Sequence, residues 1–286
     1  MTTSTTVAEG LARAKQVLQP GSDTPHLDAQ LLLMHTLGVT RAWLMAHSEA
    51  VLTADQAKSF NDNVARCQKG EALPYVVGVW EFFGRPFRVT PAVLIPRPET
   101  ETLVELGLNW LAGRETPQRV VDVGTGSGCI VISLACQFPK HHYLGVDISS
   151  EALEIAGRNA AYYGLDESLT FARGDLLAET EGPFDLVCAN LPYIPTEHLP
   201  ELAVGRREPT LALDGGEDGL APFMRLAGQL PDRLAQRGRL LAELDPEQMS
   251  SAGAQLEALM PGGDTRVERD LAGRPRVLVF DRAGEP

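Results

Sequence analysis

A doubly wound α/β fold, with a mostly parallel sheet and helices on both faces, is what the sequence predicts, and three observations predict it. Strand and helix patterns alternate beyond Glu99, a glycine-rich turn follows the first of those strands, and acidic residues close the second and third. The alternation runs strand 119–124, helix 128–138, strand 142–148, helix 150–163, strand 169–174, strand 184–189, helix 219–235, strand 238–244 and helix 247–259, then strands near 265–270 and 275–281. The last two, joined through Ala272-Gly273-Arg274-Pro275, form a hairpin pattern that places an antiparallel strand at one edge of the sheet.

Upstream the periodicity changes. Residues 7–72 carry helical spacing (Leu27, Leu31, Leu32, Met34, Leu37, with Gly38 as a stop), broken into short helices by Pro20-Gly21 and Thr24-Pro25. No catalytic constellation occurs there, and isolated His26, His35 and His47 are ordinary structural or exposed histidines, so this unit is expected to serve interaction rather than chemistry. Aromatic and β-branched residues follow: Tyr75-Val76-Val77, Val79 to Phe83, then Phe87-Arg88-Val89 after a Gly84-Arg85-Pro86 turn, a hairpin signal. The expected division is a helical domain at 1–73, a hairpin connector at 74–95 and an α/β domain at 96–286.

Composition narrows the function classes. At 286 residues, with 44% hydrophobic and 22% charged residues and no apolar run of membrane-spanning length, the chain is expected to be a globular protein away from the bilayer. Met1 to Thr6 is polar and does not resemble a secretory signal, so a cytoplasmic location is expected. Four scattered cysteines, without a CxxC pair, argue against zinc or any other metal site. A formal net charge of -13 disfavours free nucleic acid as a partner and suits a protein with a basic face.

The most informative segment is Val120-Val121-Asp122-Val123-Gly124-Thr125-Gly126-Ser127-Gly128, a strand entering a glycine-rich turn. A dinucleotide site spaces its glycines GxGxxG and faces a pyrophosphate. Here Gly124, Gly126 and Gly128 are spaced GxGxG, Cys129 stands at the dinucleotide pattern's last glycine, and Asp122 precedes the loop. A carboxylate there suits a cofactor bearing an ammonium and a sulfonium, as S-adenosylmethionine does, rather than two phosphates. Asp147, about 20 residues on, closes the second strand where it can accept ribose hydroxyls. Asp175, after the third, can accept from an adenine amino group. Each acid alone could equally cap a helix or turn; their order behind the loop makes the set a cofactor site.

After the fourth strand comes Asn190-Leu191-Pro192-Tyr193. A nitrogen conjugated to a π system is a poor nucleophile, so an enzyme methylating one must hold its N–H groups and favour the developing charge. The Asn190 side-chain oxygen can accept one N–H, the Leu191 carbonyl the other, Pro192 stiffens the turn, and Tyr193 offers a flat face or hydroxyl. These four residues accommodate an adenine as readily as a side-chain amide.

Taken with further motifs, the chain resembles the peptide-chain release factor glutamine N5-methyltransferases (PrmC/HemK) over nearly its whole length. Leu94-Ile95-Pro96-Arg97-Pro98-Glu99-Thr100-Glu101 is similar to that family's linker, and Glu208-Pro209 with Ala212 to Leu220 to its post-catalytic loop. Asp28 to Leu33 is similar to its N-terminal helix, and Asp270-Leu271-Ala272-Gly273-Arg274 to its closing hairpin. The resemblance implies a Rossmann-like class I methyltransferase sheet and S-adenosylmethionine bound around Asp122, Gly124, Thr125, Gly126, Gly128, Asp147, Asp175 and Asn190. It implies an acceptor site at Asn190, Leu191, Pro192 and Tyr193 framed by Arg97, Glu99 and Thr100. The implied substrate is the glutamine of the Gly-Gly-Gln loop of release factors, recognised partly by the helical domain.

One position departs from the family pattern, Asn-Pro-Pro-Tyr: Leu191 gives a form similar to the Asn-Leu-Pro-Tyr of ribosomal-RNA adenine dimethyltransferases. An RNA adenine methyltransferase is therefore an alternative, although the net charge does not suit an RNA surface. A ribosomal-protein glutamine methyltransferase is another, but its linker resembles Pro-Arg-Ser-Pro rather than Pro-Arg-Pro-Glu-Thr-Glu.

Overall fold

The computed structural model describes residues 5–165 and 167–284, which fall into two compact units divided between Val79 and Trp80. In the first, five helices, α1 (Val7–Leu18), α2 (Pro25–Leu37), α3 (Arg41–Ala46), α4 (Ala54–Gln68) and α5 (Leu73–Val77), enclose a core of Leu32, Leu33, Phe60 and their neighbours. Their ends are set by local chemistry: Thr6 with Glu9 and Thr53 with Gln56 form capping boxes, and Gly38 (φ 66°) ends α2. Leu32 and Leu33 are fully buried whereas Leu27 is exposed, so the core stripe of α2 is rotated from the expected one.

Tyr75-Val76-Val77 is helical, which corrects the expected strand. Pro74 lies in the first turn of α5, Gly78 (φ 76°) caps its end, and Tyr75 and Val76 are buried. Helix-start proline and left-handed glycine outweigh β-branched propensity over so short a span.

The hairpin itself is β1 (Val79–Phe82) and β2 (Arg85–Arg88). Its turn is Phe83-Gly84, both with positive φ (52° and 69°), so Arg85 and Pro86 belong to the strand and not to the turn. Phe82 and Phe87 join the core that holds Leu103, Val104 and Trp110.

The rest of the second unit is α6 (Glu101–Ala112), β3 (Arg119–Val123), α7 (Cys129–Gln137), β4 (His142–Asp147), α8 (Ser150–Tyr162), β5 (Leu169–Arg173), β6 (Phe184–Asn190), α9 (Ala221–Arg233), β7 (Leu234–Glu243), α10 (Met249–Leu259), β8 (Asp264–Arg269) and β9 (Pro275–Asp281). The large sheet has strand order β5-β4-β3-β6-β7-β9-β8. Pairings are parallel from β5 through to β7, and β9 is antiparallel to both β7 and β8. The antiparallel strand thus lies one place in from the edge, a correction to its expected position. The reason is burial: Val277, Leu278, Val279 and Phe280 of β9 are fully buried, while β8 is half exposed.

Connections run outward from β3 in one direction (β4, β5) and then return to its other side (β6, β7). The strand order therefore reverses between β3 and β6, and a crevice opens at the carboxyl ends of these two strands. Gly124 follows β3 and Asn190 ends β6, so the topology brings the glycine loop and the Asn190 tetrapeptide to one place.

Candidate active site

A cavity of about 460 Å3 occupies that crevice, within the roughly 300–1,000 Å3 typical of small-molecule sites. One end is lined by Gly124, Thr125, Gly126, Asp147 and Asp175, the other by Arg97, Thr100, Asn190, Leu191 and Pro192. Of the residues singled out in the sequence, Asp122, Gly128, Glu99 and Tyr193 do not line it.

Asp147 organises the end at the glycine-rich loop. Its Oδ2 accepts the N–H of Gly126 at 2.9 Å and its Oδ1 that of Ser149 at 2.9 Å, so β4, the glycine loop and the start of α8 converge on one carboxylate. Burial pushes its carboxyl above the usual range, against the pull of these N–H groups. Each oxygen retains a lone pair, the requirement for receiving the two hydroxyls of a ribose.

Asp122 acts beneath the loop. It is fully buried, accepts the Thr125 hydroxyl at 2.7 Å through Oδ2, and leaves Oδ1 without a partner among the described residues. Burial pushes its carboxyl up to about 7, with the Thr125 bond working the other way. Gly128 is a packing position: a Cβ there would stand 2.8 Å from Ile132 Cδ1, and its φ of 80° admits little but glycine. Asp175 pairs with Arg225 of α9, and both line the cavity. Cys129 lines the wall, but burial pushes its thiol up to about 12 and keeps it protonated.

At the other end, Asn190 Nδ2 donates to Thr100 Oγ1 at 3.0 Å, which turns Oδ1 away from that bond. Leu191 is buried, packs in the sheet core and also lines the cavity. Tyr193 is held by its carbonyl, which accepts from Gln248 Nε2 at 2.9 Å. Burial, then the Glu243 carboxyl, push its phenol up to about 12.

The flanking loops are tied to the tetrapeptide and to each other. Glu208 pairs with Arg97 and accepts the N–H of Ile95 at 3.0 Å. The chain after Tyr193 runs beside the Asp214 loop, where Ile194 exchanges backbone bonds with Leu213 and Gly215, and Thr196 donates to Asp214 at 2.6 Å. Glu99 faces outward and meets Arg274 at 3.4 Å.

Several residues of the site carried no individual signal in the sequence. Asn159, buried in α8, takes the N–H of Arg88 at 2.8 Å and donates to the carbonyls of Arg88 and Ser127, stitching the hairpin to the glycine loop. Glu243, at the end of β7, is 1% exposed and sits opposite Asn190 in the β6–β7 register. Among the described residues, no group of His, Cys, Asp or Glu is placed to hold a metal ion, and no helix is long and apolar enough to cross a membrane.

Comparison with known proteins agrees with this architecture. A family model described as the PrmC N-terminal domain matches residues 9–78, and one for a methyltransferase domain matches residues 120–204. A methyltransferase structure from Pyrococcus furiosus shares the fold, with a TM-score of 0.52 and 16% identity, covering 78% of this chain and 99% of that one. Among curated relatives, the release factor glutamine methyltransferase of Koribacter versatilis is 42% identical, over 90% of this chain and 91% of its own length. That of Bradyrhizobium diazoefficiens is 39% identical, over 88% and 86%. With identity at that level along nearly the full length of both proteins, the chain belongs to the release factor glutamine methyltransferase family.

Proposed function

We propose that this protein transfers a methyl group to the side-chain amide nitrogen (N5) of the glutamine in the Gly-Gly-Gln loop of peptide-chain release factors. The observation that carries the reading is the Asn190 amide: its nitrogen is engaged by Thr100, and its oxygen remains to accept an N–H of a planar amide. The second N–H is assigned to the Leu191 carbonyl, a role that needs no particular side chain at that position.

S-adenosylmethionine is the methyl donor of this reaction and, when bound, supplies an electrophilic methyl group on a positively charged sulfur. The cavity suits it: Asp147, Glu151, Asp175 and Asp214 line the wall against Arg97 and Arg225, an excess of negative charge that favours a cationic ligand and disfavours a pyrophosphate. Asp147 would hold the ribose, Gly124 and Gly126 allow close approach of the backbone, and Asp122 supports the loop through Thr125.

Asn190 and the Leu191 carbonyl, by accepting the N–H groups, orient the amide and favour the positive charge that builds on nitrogen as its new bond to carbon forms. The nitrogen then gives a proton to water, which restores the neutral amide, and no strong base is required because the methylated, protonated amide is itself a strong acid. Arg97 and Thr100, on the linker, frame the substrate side of the cavity, which Glu99 does not line, and the helical unit contributes recognition of the release factor. A release factor substrate places the enzyme in the cytoplasm.

The test is methyl transfer from radiolabelled S-adenosylmethionine to purified release factor, ribosomal protein and ribosomal RNA in separate reactions. Label on release factor that disappears when the loop glutamine is replaced supports the reading; label on RNA or on ribosomal protein alone overturns it.

A further inference from the structure

The linker that lines the cavity is tied to two different loops by two ion pairs. Arg97 pairs with Glu208, which fixes the segment running on to Leu211. Two residues along, Glu99 Oε1 meets Arg274 Nη2 at 3.4 Å, which fixes the turn between β8 and β9. Each loop presents a leucine to solvent: Leu211 is 60% exposed and lines the cavity, and Leu271 is 99% exposed.

Both leucines stand on closed turns. The Asp270 N–H donates to the Arg274 carbonyl at 2.9 Å, and the Asp270 carbonyl accepts the N–H of Gly273 at 2.8 Å. Asp270 Oδ1 accepts the N–H groups of Ala272 and Arg274 at 3.0 and 2.9 Å, while Oδ2 faces Arg274 Nε at 3.4 Å. Gly273 takes the left-handed conformation this turn requires, with φ 78°. Around Leu211, Ala212 donates its N–H to the Pro209 carbonyl and Asp214 donates to that of Thr210, each at 2.9 Å. A side chain carried on a turn fixed in this way has little freedom left to lose when it meets a partner.

The sheet puts the β8–β9 turn on the same edge as the site. Asn190 pairs with Glu243, and Glu243 with Val277. The start of β9 is therefore two strand spacings, about 10 Å, from Asn190. Because β9 is antiparallel to β7, the turn before it projects from the carboxyl edge of β6 and β7, where the crevice lies. A protein that inserts a side chain into the cavity must lie over this edge. A second copy of the chain seated on both leucines would cover the cavity that the acceptor has to enter.

We propose that Leu211 and Leu271 are two apolar docking points, tied to the linker by separate ion pairs, that seat the acceptor-bearing part of the release factor over the cavity by entering apolar hollows on its surface. This rests on the functional reading above and deepens it, since it assigns recognition to the catalytic unit as well. At 99% exposure Leu271 adds no burial to its own unit, so its replacement reads association rather than folding.

The experiment uses the full chain with release factor as substrate and compares Leu271→Asp, Leu271→Met, Leu211→Ala and Leu271→Asp/Leu211→Ala. Leu271→Asp would bury a carboxylate in an apolar hollow, so KM for release factor should rise at least about tenfold, with kcat at saturation within about twofold of wild type. Its S-adenosylmethionine affinity should stay within about twofold of wild type, and its melting temperature should not change. Leu271→Met keeps an apolar side chain of similar volume and should stay within about threefold of wild type. Leu211→Ala should raise the same KM about fivefold, and the two increases should multiply in the double variant because the residues stand in separate loops. Tyr162→Ala is the control: Tyr162 is 73% exposed at the end of α8, which starts at the carboxyl end of β4 and so finishes at the opposite edge of the sheet. Its KM should equal that of wild type. An unchanged KM in Leu271→Asp, or an equal rise in Tyr162→Ala, would overturn the proposal. So would a wild-type dimer in sedimentation that Leu271→Asp dissociates, since a second copy would then be the occupant. A wild-type chain inactive on release factor would instead refute the functional assignment beneath it.

Discussion

The Cδ2 atom of Leu191 lies 3.0 Å from the point where a Cβ on Gly124 would stand. The residue that departs from the family's usual proline is therefore packed against the glycine-rich loop. Gly124 also has φ 71°, a conformation costly for a residue with a Cβ. Gly124→Ala should destabilise the protein by about 1–3 kcal/mol and weaken S-adenosylmethionine binding. Leu191→Ala should relieve the steric part, so thermal melts of the double variant should show a loss smaller than the sum of the singles; strict additivity would mean the contact is loose.

Cofactor and acceptor ends should separate in kinetics. Asp147→Ala removes the acceptor for two backbone N–H groups as well as the proposed ribose ligand, so S-adenosylmethionine affinity should fall at least about tenfold. Asn190→Ala should leave that affinity nearly intact and lower kcat at least about tenfold. Isothermal titration alongside steady-state rates distinguishes the two, and unchanged turnover in Asn190→Ala would remove its assigned role.

The Arg97–Glu208 pair is asymmetric. The Glu208 side chain is 5% exposed and that of Arg97 33%, so removing the arginine strands a buried carboxylate, whereas neutralising Glu208 leaves a guanidinium that water can reach. Arg97→Met should therefore cost about 3 kcal/mol and Glu208→Gln nearer 1, with Arg97→Met/Glu208→Gln recovering part of the larger loss. Denaturant titrations of the three variants give the comparison; an equal cost for both singles would contradict it.

Buried acids, opposed by the buried His141 imidazole, set the pH dependence of stability. Asp122 and Glu243 are each pushed up to about 7 in the folded chain, above their ordinary range near 4, so folding favours their protonated forms. Their contribution is complete below the ordinary range and is lost as pH rises through about 7. Asp281 and Asp214, held low by hydrogen bonds, work in the opposite sense but only as pH falls below the ordinary carboxylate range. Melting temperature should accordingly rise as pH is lowered from about 8 toward 5, and Asp122→Asn/Glu243→Gln should flatten the slope. A slope that persists in the double variant would place its origin elsewhere.

Much of this was legible in the residues because local signals agreed with tertiary needs. The strand before Gly124 and the helix after it lie where the alternation put them, since a glycine-rich turn at a strand end leaves the backbone little choice. Tyr75-Val76-Val77 misled because propensity over three residues is weaker than a flanking Pro74 and Gly78. Asp147 and Asn190 could be found from order alone, each ending a strand beside the loop. Glu243 could not: its neighbour Asn190 is brought to it by the pairing of β6 with β7, which no local pattern encodes. Asp122 was recognisable as important, but its burial beneath Thr125 depends on how the loop folds back over β3.

The insertion of β9 between β7 and β8 has a consequence for the nascent chain. Translation delivers β7 first, then β8, and only afterwards the strand that joins them. Until β9 emerges, β7 presents Leu240, Leu241 and Ala242 on an unpaired backbone edge, and β8 has no ladder to enter. An apolar open edge is a template for pairing with other chains. The interval between synthesis of β7 and of β9 is therefore when this protein is most exposed to misassociation, and a pause in translation there should increase its demand for chaperones.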